Sequence, residues 1–274
     1  MSRAIKEALQ NGKEKLAQNN IQSPVLDAEV LLAYAIQKSK EFLYTHPEHR
    51  LLKQDFIRFD EMLQRRIQRE PVAYITNKKE FYGYEFYVDK RVLIPRPETE
   101  RLVQNAKCGI QSLKIGAKSK IIVIDVGVGS GSIIISLVKE LLKFSKNQEI
   151  NQMTFIATDI SADALAVAKI NAKKQAVEKY IKLYKGGLLE PVIKSLKKRF
   201  TRHRALFTLI ITANLPYITP KTYQTLSQDI KDYEPPIALL TPNEDKDYFY
   251  KKLDEQIDNV TRGNDIAVFK FYEN

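Results

Sequence analysis

Two stretches of this chain carry residue types that could do chemistry. The first is Asp125-Val126-Gly127-Val128-Gly129-Ser130-Gly131, where glycines alternate with small residues behind an acid. Glycine lets a backbone turn sharply and approach a ligand closely, and a helix opening after such a turn aims its first amides at that ligand. The second is Asn214-Leu215-Pro216-Tyr217. An amide, or an amino group on a conjugated ring, is a poor nucleophile because its lone pair is delocalised. The Asn214 side-chain oxygen and the Leu215 carbonyl could accept its two N–H groups and aim the lone pair at an electrophile. That is catalysis by positioning and electrostatics rather than by a titrating base. Tyr217 would pack flat on the planar group and complete the slot. Each stretch also has a plainer reading: a strand-to-helix turn that holds no ligand, and a simple turn after a strand.

Elements must hold these residues in place. Ile121 to Leu137 reads as a buried strand of β-branched residues, a tight turn and a helix. Further strands are expected at TFIATD (Thr154 to Asp159), IKLYKG (Ile181 to Gly186), LFTLIITAN (Leu206 to Asn214) and DIAVFKFY (Asp265 to Tyr272). Strands alternating with helices predict a parallel sheet covered on both faces, with ligands at the carboxyl ends of the strands. Asp125, Asp159 and Asn214 all fall at such ends. Asp159 could accept hydrogen bonds from both hydroxyls of a ribose, or cap the helix that starts near Ser161.

Upstream, Ser2 to about Arg69 is patterned for helices, with apolar residues at three- and four-residue spacing such as Val25, Ala28, Leu31, Leu32 and Ala35. Ser23-Pro24 reads as an N-cap followed by proline at the first helical position. Glu70-Pro71 ends the last of these helices. The aromatic run that follows, broken at Gly83, reads as a β-hairpin or extended linker. The expected organisation is a helical domain over 1–70, a β-hairpin linker over 71–95 and an α/β domain over 96–274.

With 44% apolar and 28% charged residues, the 274-residue chain reads as soluble and globular. Its apolar runs are too short to span a bilayer and its N-terminus lacks the layout of a secretion signal, so no membrane partner and a cytoplasmic location are expected. Cys108 stands alone and His46, His49 and His203 have no cysteine at ligand spacing, which argues against a metal site. The net charge of +11 suits an acidic partner such as RNA, and equally a Lys-, Ile- and Asn-rich proteome. The cluster Lys194, Lys197, Lys198, Arg199, Arg202 and Arg204 is either part of such a footprint or a solvated face.

The G-x-G-x-G spacing differs from the G-x-G-x-x-G of dinucleotide sites and is similar to the loop of class I S-adenosylmethionine-dependent methyltransferases. In this order, REPVAYITNKKEFYGYEFYVDKRVLIPRPETE, DVGVGSGS, ATDIS, NLPYIT and YEPPIAL resemble the HemK/PrmC family. That likeness runs from about Ser23 to the C-terminus, and FYG...IPRPETE is its most specific piece. The family methylates the side-chain amide of the glutamine in the Gly-Gly-Gln motif of peptide chain release factors, in translation termination. The resemblance implies an α/β fold with a Rossmann-like sheet and a small N-terminal helical domain that helps grip the release factor. It implies that Asp125, Gly127, Val128, Gly129, Ser130 and Gly131 line the S-adenosylmethionine loop, with Leu188 and Asn214 also at the cofactor, and that Asp159 binds the ribose. Asn214, Leu215, Pro216 and Tyr217 would hold the glutamine. A monomer, with at most indirect contact to RNA, is expected.

Three departures from the family pattern matter. Leu215 stands where the first proline of N-P-P-Y is usual; the carbonyl is kept while a backbone restraint is lost, so Leu215→Pro is expected to keep or raise activity. Gly187 replaces an acid near the adenine, so cofactor affinity is expected to suffer. Only 60 residues (274 minus 214) follow Asn214. They leave room for a sheet of about five strands, with the family's C-terminal strands missing and the last strand at a partly covered edge. The motifs leave two rivals: an adenine amino-group methyltransferase on RNA or DNA, since N-L-P-Y also resembles that of ribosomal RNA adenine dimethylases, and a non-catalytic methyltransferase-like binding module.

Overall fold

The computed structural model of the chain describes residues 3–113, 119–144, 150–202 and 206–273. The helical pattern of the first third forms α1 (Ile5–Gln18), α2 (Pro24–Ala35), α3 (Lys40–Thr45), α4 (Lys53–Ile67) and α5 (Val72–Thr76). Their apolar stripes meet in one cluster around Ile5, Leu16, Leu31, Leu32, Phe59 and Leu63. Pro24 opens α2, but the Ser23 hydroxyl donates to Asp27 Oδ1 (2.8 Å) instead of capping the backbone. Asp27 is thereby held for Arg66, whose Nε donates to its Oδ2 at 2.7 Å and whose Nη1 donates to Asp229 Oδ2 at 2.8 Å.

That ion network changes the expected boundary. The compact helical unit is Met1–Lys78 together with Ser227–Tyr233. Residues 71–78 join it because Ile75 is buried in the helical cluster. Ser227–Tyr233 joins it through Asp229 and through the Tyr233 hydroxyl, which donates to the Gln68 carbonyl at 2.7 Å. Nor is the hairpin a free linker. Strands β1 (Lys79–Phe81) and β2 (Tyr84–Phe86) pair antiparallel across Tyr82 and Gly83, both with positive φ. Phe81 and Phe86 are buried in the core of the second unit.

The second unit is Lys79–Leu226 with Glu234–Asn274. Its elements are α6 (Glu100–Ser112), β3 (Ser119–Val126), α7 (Ser132–Phe144), β4 (Met153–Asp159), α8 (Ala162–Lys174), β5 (Ile181–Lys185), α9 (Glu190–Arg202), β6 (Leu206–Ala213) and α10 (Pro220–Gln224). After α11 (Gln228–Tyr233), which belongs to the helical unit, come α12 (Tyr248–Thr261) and β7 (Ile266–Tyr272). The strands form one parallel sheet in the order β5-β4-β3-β6-β7. Along β3 the side chains alternate between two cores. Ile121 and Val123 pack with α6 and α7, and Ile122, Ile124 and Val126 pack with α9 and α12. A strand buried on both faces needs an unbroken apolar run, which is why this one shows no polar alternation.

The described residues thus contain the five parallel strands expected, with β7 at an edge where Phe269 is exposed. On α9, Leu196 and Phe200 face the core, which leaves Lys194, Lys197 and Lys198 on the exposed face; Arg204 lies outside the described residues. Among the described residues no helix is long and apolar enough to cross a membrane.

Candidate functional site

The strand order reverses at β3, with β4 on one side and β6 on the other, so the loops leaving these strands part and open a crevice at their carboxyl ends. A cavity lies there within the second unit. It is lined by Gly127 to Ser130, Asp159, Leu188 and Asn214 to Pro216, with Arg96, Thr99, Ile237 and Phe249 across from them.

The glycine loop is bent over the end of β4 by two hydrogen bonds, from the Gly127 and Val128 amides to the Thr158 carbonyl at 2.9 and 3.0 Å. Gly129 has φ +52°, and a Cβ there would meet nothing within 4 Å. This glycine serves a left-handed turn and leaves the space over it open. Gly131 has a different task. A Cβ there would stand 2.7 Å from Ile135 Cδ1 and 3.4 Å from Ala168, so it lets the loop pack against α7 and α8, and it does not line the cavity.

Asp159 joins the glycine loop to Ser161, the residue that caps α8 by accepting the Ala164 amide on its hydroxyl. Its Oδ2 accepts the Gly129 amide and its Oδ1 the Ser161 amide, both at 2.9 Å, and it also faces the cavity. Each oxygen keeps lone-pair capacity for a further donor. Burial raises its pKa above the ordinary carboxylate value, against the pull of those amides.

Asp125 does not line the cavity as expected. It is fully buried beneath the loop, where its Oδ1 accepts from the Thr212 hydroxyl at 2.8 Å and its Oδ2 has no partner among the described residues. Burial pushes its pKa from 3.8 up to about 7, despite the Thr212 bond and aided by the nearby Asp159 charge. A carboxyl whose folded value is raised favours the folded state while protonated. That stability is whole below the unfolded value and is lost as pH rises through the folded one. Asp125→Asn, which stays neutral, is therefore expected to gain on the parent chain between pH 3.8 and about 7. The gain is about 1.4 kcal/mol per pH unit. Denaturant unfolding across that window checks it; parallel stability curves would mean that Asp125 ionises normally.

The second motif is held from both sides. The Asn214 amide Nδ2 donates to Thr99 Oγ1 at 3.2 Å, which commits its NH2 end and leaves Oδ1 as the acceptor. The Leu215 amide donates to the Tyr250 hydroxyl at 3.0 Å, and that hydroxyl donates to the Glu273 carbonyl at 2.8 Å. Leu215 is buried, and its Cδ2 would lie 3.1 Å from a Cβ on Gly127, so it wedges the two motifs together. These contacts reverse the expectation for proline at this position. Leu215→Pro has no N–H to give Tyr250 and loses a buried bond worth about 0.5 to 1.5 kcal/mol. It should lower both the unfolding midpoint and the turnover severalfold; an unchanged midpoint would show that the Tyr250 bond is idle.

Tyr217, expected to complete the slot, is 47% exposed and outside the cavity lining. Leu188 lines the cavity with φ +48°, an uncommon conformation for a bulky residue. Beside it, a Cβ on Gly187 would stand 3.1 Å from Glu190 Oε2. The Glu190 carboxylate thus occupies the ground that an acid at 187 would claim.

Reading the motifs alone missed Arg96, Thr99, Glu234, Tyr250 and Glu273. Arg96 Nη2 donates to Glu234 Oε1 at 2.6 Å and the Ile94 amide to Glu234 Oε2 at 3.1 Å, so IPRPETE and YEPPIAL form one wall of the cavity. Those stretches signalled the first three residues. Nothing local signalled Tyr250 or Glu273.

Known proteins are similar to this chain over most of its length. The PrmC N-terminal domain family matches residues 7–76. The release factor glutamine methyltransferase of Clostridium acetobutylicum is 32% identical over 266 residues, covering 97% of this chain and 85% of that protein. The release factor glutamine methyltransferase of Dictyoglomus turgidum is 34% identical, covering 92% and 80%. That of Bacillus subtilis is 35% identical, covering 89% and 77%.

Proposed function

The chain belongs to the release factor glutamine methyltransferase family, and from that membership we infer that it transfers a methyl group from S-adenosylmethionine to the side-chain amide nitrogen of a release-factor glutamine. The cavity suits the methyl donor: open space above Gly129, the Asp159 carboxylate for ribose hydroxyls, and apolar faces from Leu188, Ile160 and Phe249 for the purine. When bound, S-adenosylmethionine supplies the electrophile, a methyl group on a positively charged sulfur.

The protein's own part is to make an amide nitrogen react. Asn214 Oδ1 and the Leu215 carbonyl accept the two N–H groups of the glutamine amide, which holds the nitrogen in place and draws electron density toward it. As the new N–C bond forms and the donor's S–C bond breaks to leave a neutral thioether, positive charge would grow on that nitrogen and both acceptors would bind it more strongly than before. The nitrogen would then give one proton to water, and no residue of shifted pKa is needed to start the reaction. The observation that carries this reading is the Asn214 side chain fixed by Thr99, its oxygen without a hydrogen bond among the described residues, beside the glycine loop. The substrate glutamine is that of the Gly-Gly-Gln motif, the helical unit grips the release factor, and the work is done in the cytoplasm.

The test is to incubate the chain with labelled S-adenosylmethionine and a bacterial release factor carrying Gly-Gly-Gln, beside the same factor with that glutamine replaced. Label is expected only in the first. Label in added ribosomal RNA, with none in the release factor, would move the assignment to adenine methylation.

A further inference from the structure

We propose that β5 and α9 present a binding face for single-stranded RNA, separate from the cavity and independent of the reaction assigned to it. The face consists of Lys182 and Tyr184 on β5 with Lys194, Lys198 and Arg199 on α9, none of which lines the cavity. β5 is an edge strand, paired with β4 alone. Its side chains alternate between the two faces of the sheet. Ile181 and Leu183 pack into the core shared with α7 and α8. Lys182 stands beside Ile156 and Tyr184 beside Thr158, on the face that α9 covers. On α9, Lys197 reaches across to α12, its Nζ donating to Asn259 Oδ1 at 2.7 Å. With 3.6 residues to a turn, Arg199 falls on the flank away from α12, and Lys194 and Lys198 share the outer surface.

The cations of this face have no anions to satisfy them. Lys15, Lys107, Lys143 and Lys174 each stand in an ion pair. Lys182, Lys194, Lys198 and Arg199 have no ion pair among the described residues, although all but the half-buried Arg199 are exposed. β5 and α9 hold one acid between them, Glu190, and its carboxylate lies against Gly187. A polyanion laid across such a face relieves the crowding of like charge and releases its own condensed counter-ions. Tyr184 says which polyanion. It is 39% exposed and packs into neither core of the unit. An exposed ring beside cations is a platform on which an unpaired base stacks while the flanking phosphates meet the lysines. A duplex hides its base faces, and a run of acidic side chains brings charge but no ring. Loops and ends of RNA offer both phosphates and splayed bases.

The test measures binding of the full chain to a labelled single-stranded RNA of mixed sequence, about 12 nucleotides long, by fluorescence anisotropy over a range of salt. With four cations engaged, the slope of log affinity against log salt should be about −3. Lys194→Glu with Lys198→Glu should lower affinity at least tenfold and bring the slope to about −1.5. A control pair on exposed lysines of the helical unit, Lys40→Glu with Lys53→Glu, makes the same change in net charge and should stay within about twofold of the parent. Tyr184→Leu should cost about tenfold and Tyr184→Phe almost nothing. An equal loss in the control pair would reduce the binding to net charge and overturn the proposal. Duplex RNA bound as tightly as the single strand would also overturn it. So would displacement of the RNA by polyglutamate at equal charge concentration, which would make the face a site for acidic protein. Should the glutamate pair lower the unfolding midpoint, Lys194→Gln with Lys198→Gln, which removes charge without reversing it, decides in its place.

Discussion

Turnover of Asn214→Ala should fall at least a hundredfold at saturating substrate and cofactor, the largest effect expected of any single change in this protein. The scale is that of removing one fixed polar group from a reacting centre, about 2.7 to 4 kcal/mol. The reason lies in the division of the Asn214 amide. One end is bound to Thr99 at 3.2 Å, so the other is held in a single direction before substrate arrives. Alanine removes that acceptor, and a water molecule taking its place would have to be ordered anew in each cycle. The backbone carbonyl of Leu215 remains, so the glutamine can still enter the slot. The defect should therefore appear in kcat far more than in KM. Initial rates with a Gly-Gly-Gln release factor give the answer, and a normal rate would show that the amide is activated in another way.

Asp159→Ala should weaken S-adenosylmethionine binding by roughly ten- to a hundredfold, the loss of hydrogen bonds to a charged acceptor worth about 1.5 to 3 kcal/mol. Asp159 also accepts the Gly129 and Ser161 amides, so the loop itself should loosen. Calorimetry reads the first effect and amide hydrogen exchange at Gly129 the second. Exchange that quickens with no change in affinity would confine Asp159 to holding the loop; unchanged affinity and unchanged exchange would remove it from the site. Burial raises the pKa of this carboxyl, so cofactor affinity should begin to fall on acidification at a higher pH than an ordinary aspartate would give. Calorimetry across that range measures this too.

Local chemistry was enough to pick out in the sequence the main stretches that line the cavity. A short run of β-branched residues from Ile121 that ends in glycines reads as a buried strand, the glycines after it must turn, and acids at strand ends fall where an α/β sheet opens. Gly129, Asp159 and Asn214 were found by such reasoning because their signals lie within a few residues of themselves. Tertiary structure alone decided which way the neighbouring side chains face and what they touch. It put Asp125 beneath the loop, gave Gly131 to helix packing, turned Tyr217 outward and carried Ser227–Tyr233 into the helical unit. It also brought Thr99 to Asn214 across 115 positions of sequence and Tyr250 to Leu215 across 35. Periodicity and turn chemistry are short-ranged and survive in the order of residues. A hydrogen bond between distant segments depends on which strand ends become neighbours, and that adjacency exists only once the order β5-β4-β3-β6-β7 has formed.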